Sequence, residues 1–256
     1  MVSVAISGAA GTVGRIVTEA FDDQSLQLLT HSEHRDIDSQ VLDVGHREAF
    51  GEALSGVDVL VHLAWGPAES ERWGEDHGKN VQGTANALAA AVENDLDRVV
   101  VASTNHVTGM YNREDPSDAE SLAADPGEAV HPDDKVRPDS FYGVAKVACE
   151  ALGQYHADRD GLEVVSLRIG WVQSRADLRE VQDDRPERAR FARAMWLSPR
   201  DCRAIVRSAA LEPIDSTPLV VNAISRNAER YLSITEATLH LDYRPQDDAT
   251  AVVEGS

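Results

Sequence analysis

Thiol is scarce in this chain, with only Cys149 and Cys202 among 256 residues. Two such cysteines give no disulfide framework and no metal-ligand spacing. Both are therefore expected as reduced core residues of a cytoplasmic protein, and no metal site is expected. Lysine is scarce too, represented by Lys79, Lys135 and Lys146 alone. Positive charge is outweighed throughout: 24 Lys and Arg stand against 44 Asp and Glu, a formal net charge of −20. So acidic a surface excludes nucleic acid and anionic membranes as partners. Excess carboxylate with little lysine fits a salt-adapted protein, in which ionic strength screens the mutual repulsion. No apolar run reaches the roughly 20 residues that span a bilayer. Met1-Val2-Ser3 leads straight into an apolar strand, so no secretory leader is expected. There is no internal repeat and no clean linker.

What is present begins at the first residues. Val2 to Ile6 reads as a buried strand, Ser7 to Gly14 as a glycine-punctuated turn, and Arg15 to Phe21 takes helical spacing. Strand, glycine-rich turn and helix is the arrangement by which a doubly wound α/β sheet offers a helix N-terminus to a pyrophosphate. Gly8 lets the turn close, Gly11 leaves backbone N–H groups accessible, and Gly14 lets helix and strand approach. The spacing is G-x-x-G-x-x-G, with the second glycine displaced from the commoner G-x-G-x-x-G.

Further strands are expected at Leu26–Thr30, Val57–Ala64, Val99–Thr104, Glu163–Ile169 and Leu219–Ala223, with a brief extended segment at Val41–Val44. Helices are expected over 46–54, 76–94 and 140–159. Tyr111 to Pro138 reads as a surface excursion beside the site, acidic and without apolar periodicity. Arg175 to Arg193 reads as a charged, partly helical, solvated stretch. Ser198-Pro199-Arg200-Asp201 reads as a helix start with Asp201 capping back. Ser233 to Glu236 is expected to cap the last helix, followed by an acidic tail after Pro245. His62 is expected as a hydrogen-bonded core residue.

Thr30 stands where an acidic residue commonly ends the second strand and takes both ribose hydroxyls. His31, Ser32, Glu33, His34 and Arg35 follow it. Hydroxyls, imidazoles and an arginine accept a 2′-phosphate that a carboxylate would repel, which favours NADP over NAD unless Glu33 or Asp36 supplies the acid. Tyr142 and Lys146 lie four apart on one helix face. A phenol titrates near 10, and a nearby ammonium is expected to lower that value. Thr104, at the mouth of its strand, is placed to hold a substrate oxygen. A general base with an orienting partner is what hydride transfer from an alcohol carbon needs.

Gly8, Gly11 and Gly14, Asn80-Val81-x-Gly83-Thr84, Ser103-Thr104, Tyr142 with Lys146, and Arg168-Ile169-Gly170 together resemble the extended short-chain dehydrogenase/reductase family over nearly the whole chain. The resemblance implies a Rossmann-like fold, a nicotinamide cofactor and a Thr104–Tyr142–Lys146 catalytic set. It implies a dinucleotide-binding domain over 1–170 and a small substrate-binding lobe over 171–256, interleaved with it. Expected cofactor contacts are Gly8, Gly11, Thr12, Val13, Gly14, Thr30, His31, Ser32, Arg35 and Asp43, the last at the adenine edge. Val44, Leu63, Ala64, Trp65, Asn80 and Ile169, with Tyr142 and Lys146, complete them.

Ser103-Thr104-Asn105-His106…Gly109 and Arg137-Pro138-Asp139…Tyr142-Gly143-Val144-Ala145-Lys146 resemble the uronate dehydrogenases. Met195-Trp196-Leu197-Ser198-x-Arg200-Asp201 resembles the NAD-dependent glucose-6-phosphate dehydrogenases of salt-loving archaea. Both relatives oxidise the anomeric carbon of a sugar to a lactone. Trp171 replaces a substrate-touching serine of the first group. Phe191 replaces an arginine of both, although Arg190 and Arg193 flank it. Aromatic faces pack on the apolar side of a pyranose, which favours a neutral aldose, for example L-arabinose, over a uronate or a hexose phosphate. Expected substrate contacts are Thr104, Asn105, His106, Tyr142, Trp171 and Phe191. A nucleotide-sugar epimerase or dehydratase is the alternative within the family, although little chain follows Arg168 to hold a nucleotide. A non-catalytic cofactor sensor is the alternative outside it. A homo-oligomer, dimer or tetramer, is expected by the same resemblance.

Overall fold

The computed structural model describes every residue except 68–72, 126, 128 and 256. Seven parallel strands form one sheet in the order β3-β2-β1-β4-β5-β6-β9. In chain order the elements are β1 (Ser3–Ser7), α1 (Thr12–Thr18), β2 (Ser25–Thr30), β3 (Gln40–Val41), α2 (Arg47–Ala53), β4 (Val59–His62) and α3 (Glu75–Glu93). They continue as β5 (Arg98–Thr104), α4 (Phe141–Asp160), β6 (Glu163–Ile169), β7 (Trp171–Val172), α5 (Arg175–Glu180), α6 (Pro186–Met195) and β8 (Trp196–Leu197). The last are α7 (Pro199–Leu211), β9 (Leu219–Ala223), α8 (Thr235–Leu241) and α9 (Ala249–Glu254). The strand order reverses between β1 and β4, which opens a crevice at their carboxyl ends. Strands buried on both faces read as uninterrupted apolar runs, and Val99-Val100-Val101 and Val59-Leu60-Val61 are such runs. One core layer packs α1, α7 and α8 on the sheet, and another packs α2, α3 and α4 on its opposite face. Among the described residues no helix is long and apolar enough to cross a membrane.

Several local expectations are corrected. Helix α1 begins at Thr12, three residues before the periodicity suggests, because Gly11 already serves as its N-cap. Cys149 and Cys202 are buried free thiols, as expected. The 111–138 excursion, two of whose residues (126 and 128) lie outside the described set, is no purely surface segment. Leu122 and Val130 enter a core cluster with Tyr111, Phe191, Met195 and Tyr231. Val130 donates to Tyr231 O and accepts from Ser233 N, which ties the excursion to the chain before α8. The charged 175–193 stretch is two helices, and α6 buries Ala189, Phe191, Ala192, Ala194 and Met195.

Ser198 caps α7 as expected, accepting from Asp201 N. Asp201 itself does not cap back. Its buried carboxylate accepts from Ser225 Oγ at 2.7 Å and from the Gln246 and Asp247 backbone at 3.0 Å. Helix α8 has Ile234 at its N-cap, and Ser233 one residue earlier does the capping, accepting from Thr235 N at 3.2 Å and donating to Glu236 at 3.0 Å. It is not the last helix: the acidic tail folds into α9, which buries Ala249 and Val252 against Leu178 and Trp196.

Candidate active site

The first turn shows how backbone builds the crevice. Gly8 holds a φ of +78°, and a Cβ there would lie 2.7 Å from Ala64 N. At Gly14 a Cβ would lie 2.3 Å from Gly8 O, so only glycine allows α1 to pack on the turn. The α1 N-terminus carries no capping side chain and no acidic residue in its first turn. Its free N–H groups are thus left for an anion.

A cleft of about 620 Å³ opens there. Gly8, Gly11, Thr30, His31, Asp43, Val44, Leu63, Ala64, Trp65 and Asn80 line it. Of the other expected cofactor residues, Thr12, Val13 and Gly14 form the helix start behind the turn, while Ser32 and Arg35 point to solvent on the loop after β2. Ile169 ends β6, two strands away from β4. His34, one of the imidazoles read after Thr30, also lines the cleft, as does Lys79, which escaped the sequence reading. No local pattern marks Lys79, because the fold brings it in from α3. Asn80 latches the exit from β4, accepting from Gly66 N at 2.7 Å and donating to Gly66 O at 3.0 Å.

Thr30 is buried and carries no charge; its hydroxyl donates to Ser32 O at 2.9 Å and lies 2.7 Å from Ser39 Oγ. Arg15 donates to Ala10 O at 3.0 Å and pairs with Asp36 at 2.6 Å. A cation and an anion therefore face each other next to the glycine turn, whose Ala10 lines the cleft.

A second cleft of about 850 Å³ shares Trp65, Gly66 and Pro67 with the first and reaches Tyr142, Asp139 and His77. Ser140 caps α4, accepting from Gly143 N, and so aims Tyr142 and Lys146 from the first two turns. Thr104 ends β5. Its hydroxyl accepts from His106 N at 3.3 Å and donates to Asn105 Oδ1 at 3.4 Å. Lys146 is buried, donates to Ala102 O at 2.7 Å and sits 3.7 Å from the Trp65 ring centre. Thr104, Tyr142 and Lys146 are thus brought to one place. Ser103, one residue earlier, faces the other way and donates to Glu150.

The electrostatics differ from the sequence expectation. Burial raises the Tyr142 phenol above its ordinary value, and the Thr104 hydrogen bond opposes the rise. Lys146 is itself pushed down to about 8 by burial, and burial is also the larger influence on the phenol. His62, behind the site, is pushed down to about 3 by burial and lies 2.7 Å from Ser7 Oγ. It is the hydrogen-bonded core residue expected.

The His106 ring stands between Tyr142 and Phe191, at 5.9 and 6.4 Å between ring centres. Phe191 is 3% exposed and packs on Trp171 at 5.9 Å. Trp171 itself opens onto a separate shallow cleft with Asp177 and Arg188. Arg190 and Arg193, which flank Phe191, are turned into pairs with Glu114 and Glu229. Neither leaves a free cation beside Phe191.

This crevice, turn and polar triad belong to a known family. The chain matches the NAD dependent epimerase/dehydratase family over residues 4–195 and is a member of it. Within that family it is 48% identical to an L-arabinose 1-dehydrogenase (NAD(P)(+)) of Haloferax volcanii, over 99% of this chain and 100% of the relative. It is 30% identical to the NAD-dependent glucose-6-phosphate dehydrogenase of the same organism, over 96% of this chain and 94% of that one. The uronate dehydrogenase of Agrobacterium tumefaciens superposes with a TM-score of 0.78 at 25% identity, over 98% of this chain and 86% of that one.

Proposed function

We propose that this protein is an NAD(P)-dependent sugar 1-dehydrogenase that oxidises the anomeric carbon of a neutral aldose, L-arabinose foremost, to the lactone. The end-to-end 48% identity with an L-arabinose 1-dehydrogenase carries this reading. The absence of a free arginine beside Phe191, among the described residues, supports a substrate without carboxylate or phosphate.

The residues present fit a nicotinamide dinucleotide: an uncapped helix N-terminus behind a close-packed glycine turn, and a cleft running from Thr30 to Trp65. Gly8, Gly11 and the α1 N-terminus would hold the pyrophosphate, and Asp43 the adenine edge. Lys146 would hold the ribose next to the nicotinamide. When bound, the nicotinamide takes up the electron pair of the oxidation. Thr104 holds the anomeric oxygen, Tyr142 removes its proton, and Asn105 and His106 hold neighbouring hydroxyls. Thr30 and Arg15 favour NADP, while Asp36 keeps NAD acceptable.

Residues 171–256 would supply the substrate lobe, with buried Phe191 backing the His106 ring and Trp171 opening onto the separate cleft. The outward face of α4 exposes Phe141, Val144 and Tyr155, a stripe suited to a second copy of the chain in a cytoplasmic homo-oligomer.

Tyr142→Phe tests the assignment. It is expected to bind cofactor normally and to lose about 10²-fold or more in turnover. Wild-type turnover by that variant would sink the proposed role.

A further inference from the structure

Asp139 lines the Tyr142 cleft with an almost wholly buried side chain. Its side chain is 1% exposed, and it receives three donors. His106 Nδ1 is 2.9 Å away, Arg113 Nη2 2.8 Å, and Ser140 Oγ 2.9 Å. Gly109 packs so closely that a Cβ there would lie 1.8 Å from Asp139 Oδ2. Arg113 is 3% exposed and also donates to the Gly109 and Ala119 carbonyls. The carboxylate accepts on both oxygens, with the guanidinium on one of them. A carboxylate oxygen facing Nδ1 calls for the N–H there, and in the neutral imidazole that leaves the lone pair on Nε2.

We propose that Asp139, locked by Arg113, is a positioning residue that fixes His106 in the Nδ1–H tautomer, so that the site offers Nε2 as an acceptor to a sugar hydroxyl. The sugar rests on the dehydrogenase reading above; the tautomer does not. A lone pair at Nε2 accepts from a hydroxyl and repels the oxygens of a carboxylate or phosphate, which carry no proton at neutral pH. Arg113, whose guanidinium lies 5.5 Å from the Phe191 ring centre, is already committed to Asp139. The same pair that orients His106 therefore withholds a cation that an anionic sugar would use. The Asp139–His106 pair stands in runs that resemble the uronate dehydrogenases, so it orients a sugar hydroxyl and leaves the preference for a neutral sugar to Phe191 and the committed Arg113.

The test reads the tautomer directly. Long-range ¹⁵N–¹H correlation of the histidine rings is recorded on the labelled full chain in high salt, with His106 assigned by its loss in His106→Gln. A protonated Nδ1 with a bare Nε2 is expected. A dominant Nε2–H form, or averaging of the two, would overturn the proposal in the unmodified protein, with no variant required to fold. In Asp139→Asn the amide can donate to Nδ1, so the tautomer is expected to shift. KM for the aldose should then rise about tenfold while cofactor affinity, read by nicotinamide fluorescence, stays put. Lower thermal stability with an unshifted tautomer and unchanged KM would assign Asp139 a structural role only and contradict the proposal. Failure of the wild type to oxidise any aldose would overturn the functional reading and the ligand assigned here, while the tautomer measurement still stands or falls alone.

Discussion

Tyr142, the proposed base, is held in a setting that favours its protonated form. Burial raises the phenol, and the Thr104 hydroxyl is the neighbour that pulls it back. Because proton removal from the sugar needs the phenolate, kcat/KM is expected to climb with pH between about 7 and 9. Thr104→Val removes the opposing hydrogen bond. Its pH profile should move further to the alkaline side as well as fall in height, whereas Thr104→Ser should keep the wild-type position. A Thr104→Val profile superimposable on wild type would show that this hydroxyl does not tune the phenol. Beside the glycine turn, the exposed Arg15–Asp36 pair is the proposed divider of the two cofactors. Arg15→Ala is expected to weaken NADPH binding about tenfold with little effect on NADH, and Asp36→Ala to do the reverse by releasing the guanidinium. Dissociation constants from reduced-cofactor fluorescence decide this; equal losses for both cofactors in Arg15→Ala would argue that the guanidinium does not meet the 2′-phosphate.

Elements carry their own consequences. His62 on β4 meets Ser7 on β1 at 2.7 Å and Thr84 on α3 at 3.4 Å, so it ties two strands to a helix. Burial holds its pKa at about 3 against 6.5 for the free side chain. Below pH 6.5 the unfolded chain binds a proton there that the folded chain refuses, so stability is lost as pH falls toward 3. The loss from this group is about 2 kcal/mol at pH 5. Urea midpoints of His62→Gln should fall less steeply over that window than those of wild type; parallel slopes would remove His62 from the acid response.

The central strands and the α4 helix were legible in the sequence because periodicity and capping are local. Ser140, Tyr142 and Lys146 share a few turns, and the apolar runs of β4 and β5 signal burial on both faces. The excursion, α6 and α9 were not legible. Their anchors are single residues, Leu122, Val130, Ala249 and Val252, set among charges, and they become core only when distant segments meet. Asp201 shows the same limit: its spacing from Ser198 suggests a cap, while its partners lie beyond residue 224. The pairing of Asp139 with His106 and Arg113 likewise joins residues that no motif spacing connects.

At the scale of the whole molecule, charge and fold point the same way. A formal charge of −20 on 256 residues makes the folded chain repel itself in dilute buffer. At about 1 M salt the screening length falls to about 3 Å, and that repulsion is confined to near neighbours. Many surface arginines are already paired with carboxylates, as at Arg207–Asp23 and Arg188–Glu120. The glycine-turn cleft and the Tyr142 cleft meet at Trp65, which lines both. The measurement that tests this account most directly is initial-rate absorbance of reduced nicotinamide in high salt. L-Arabinose, glucose 6-phosphate and glucuronate are each supplied with NAD and with NADP. The account predicts turnover of L-arabinose with both cofactors, better with NADP, and little with either anionic sugar. Turnover confined to an anionic sugar would contradict it.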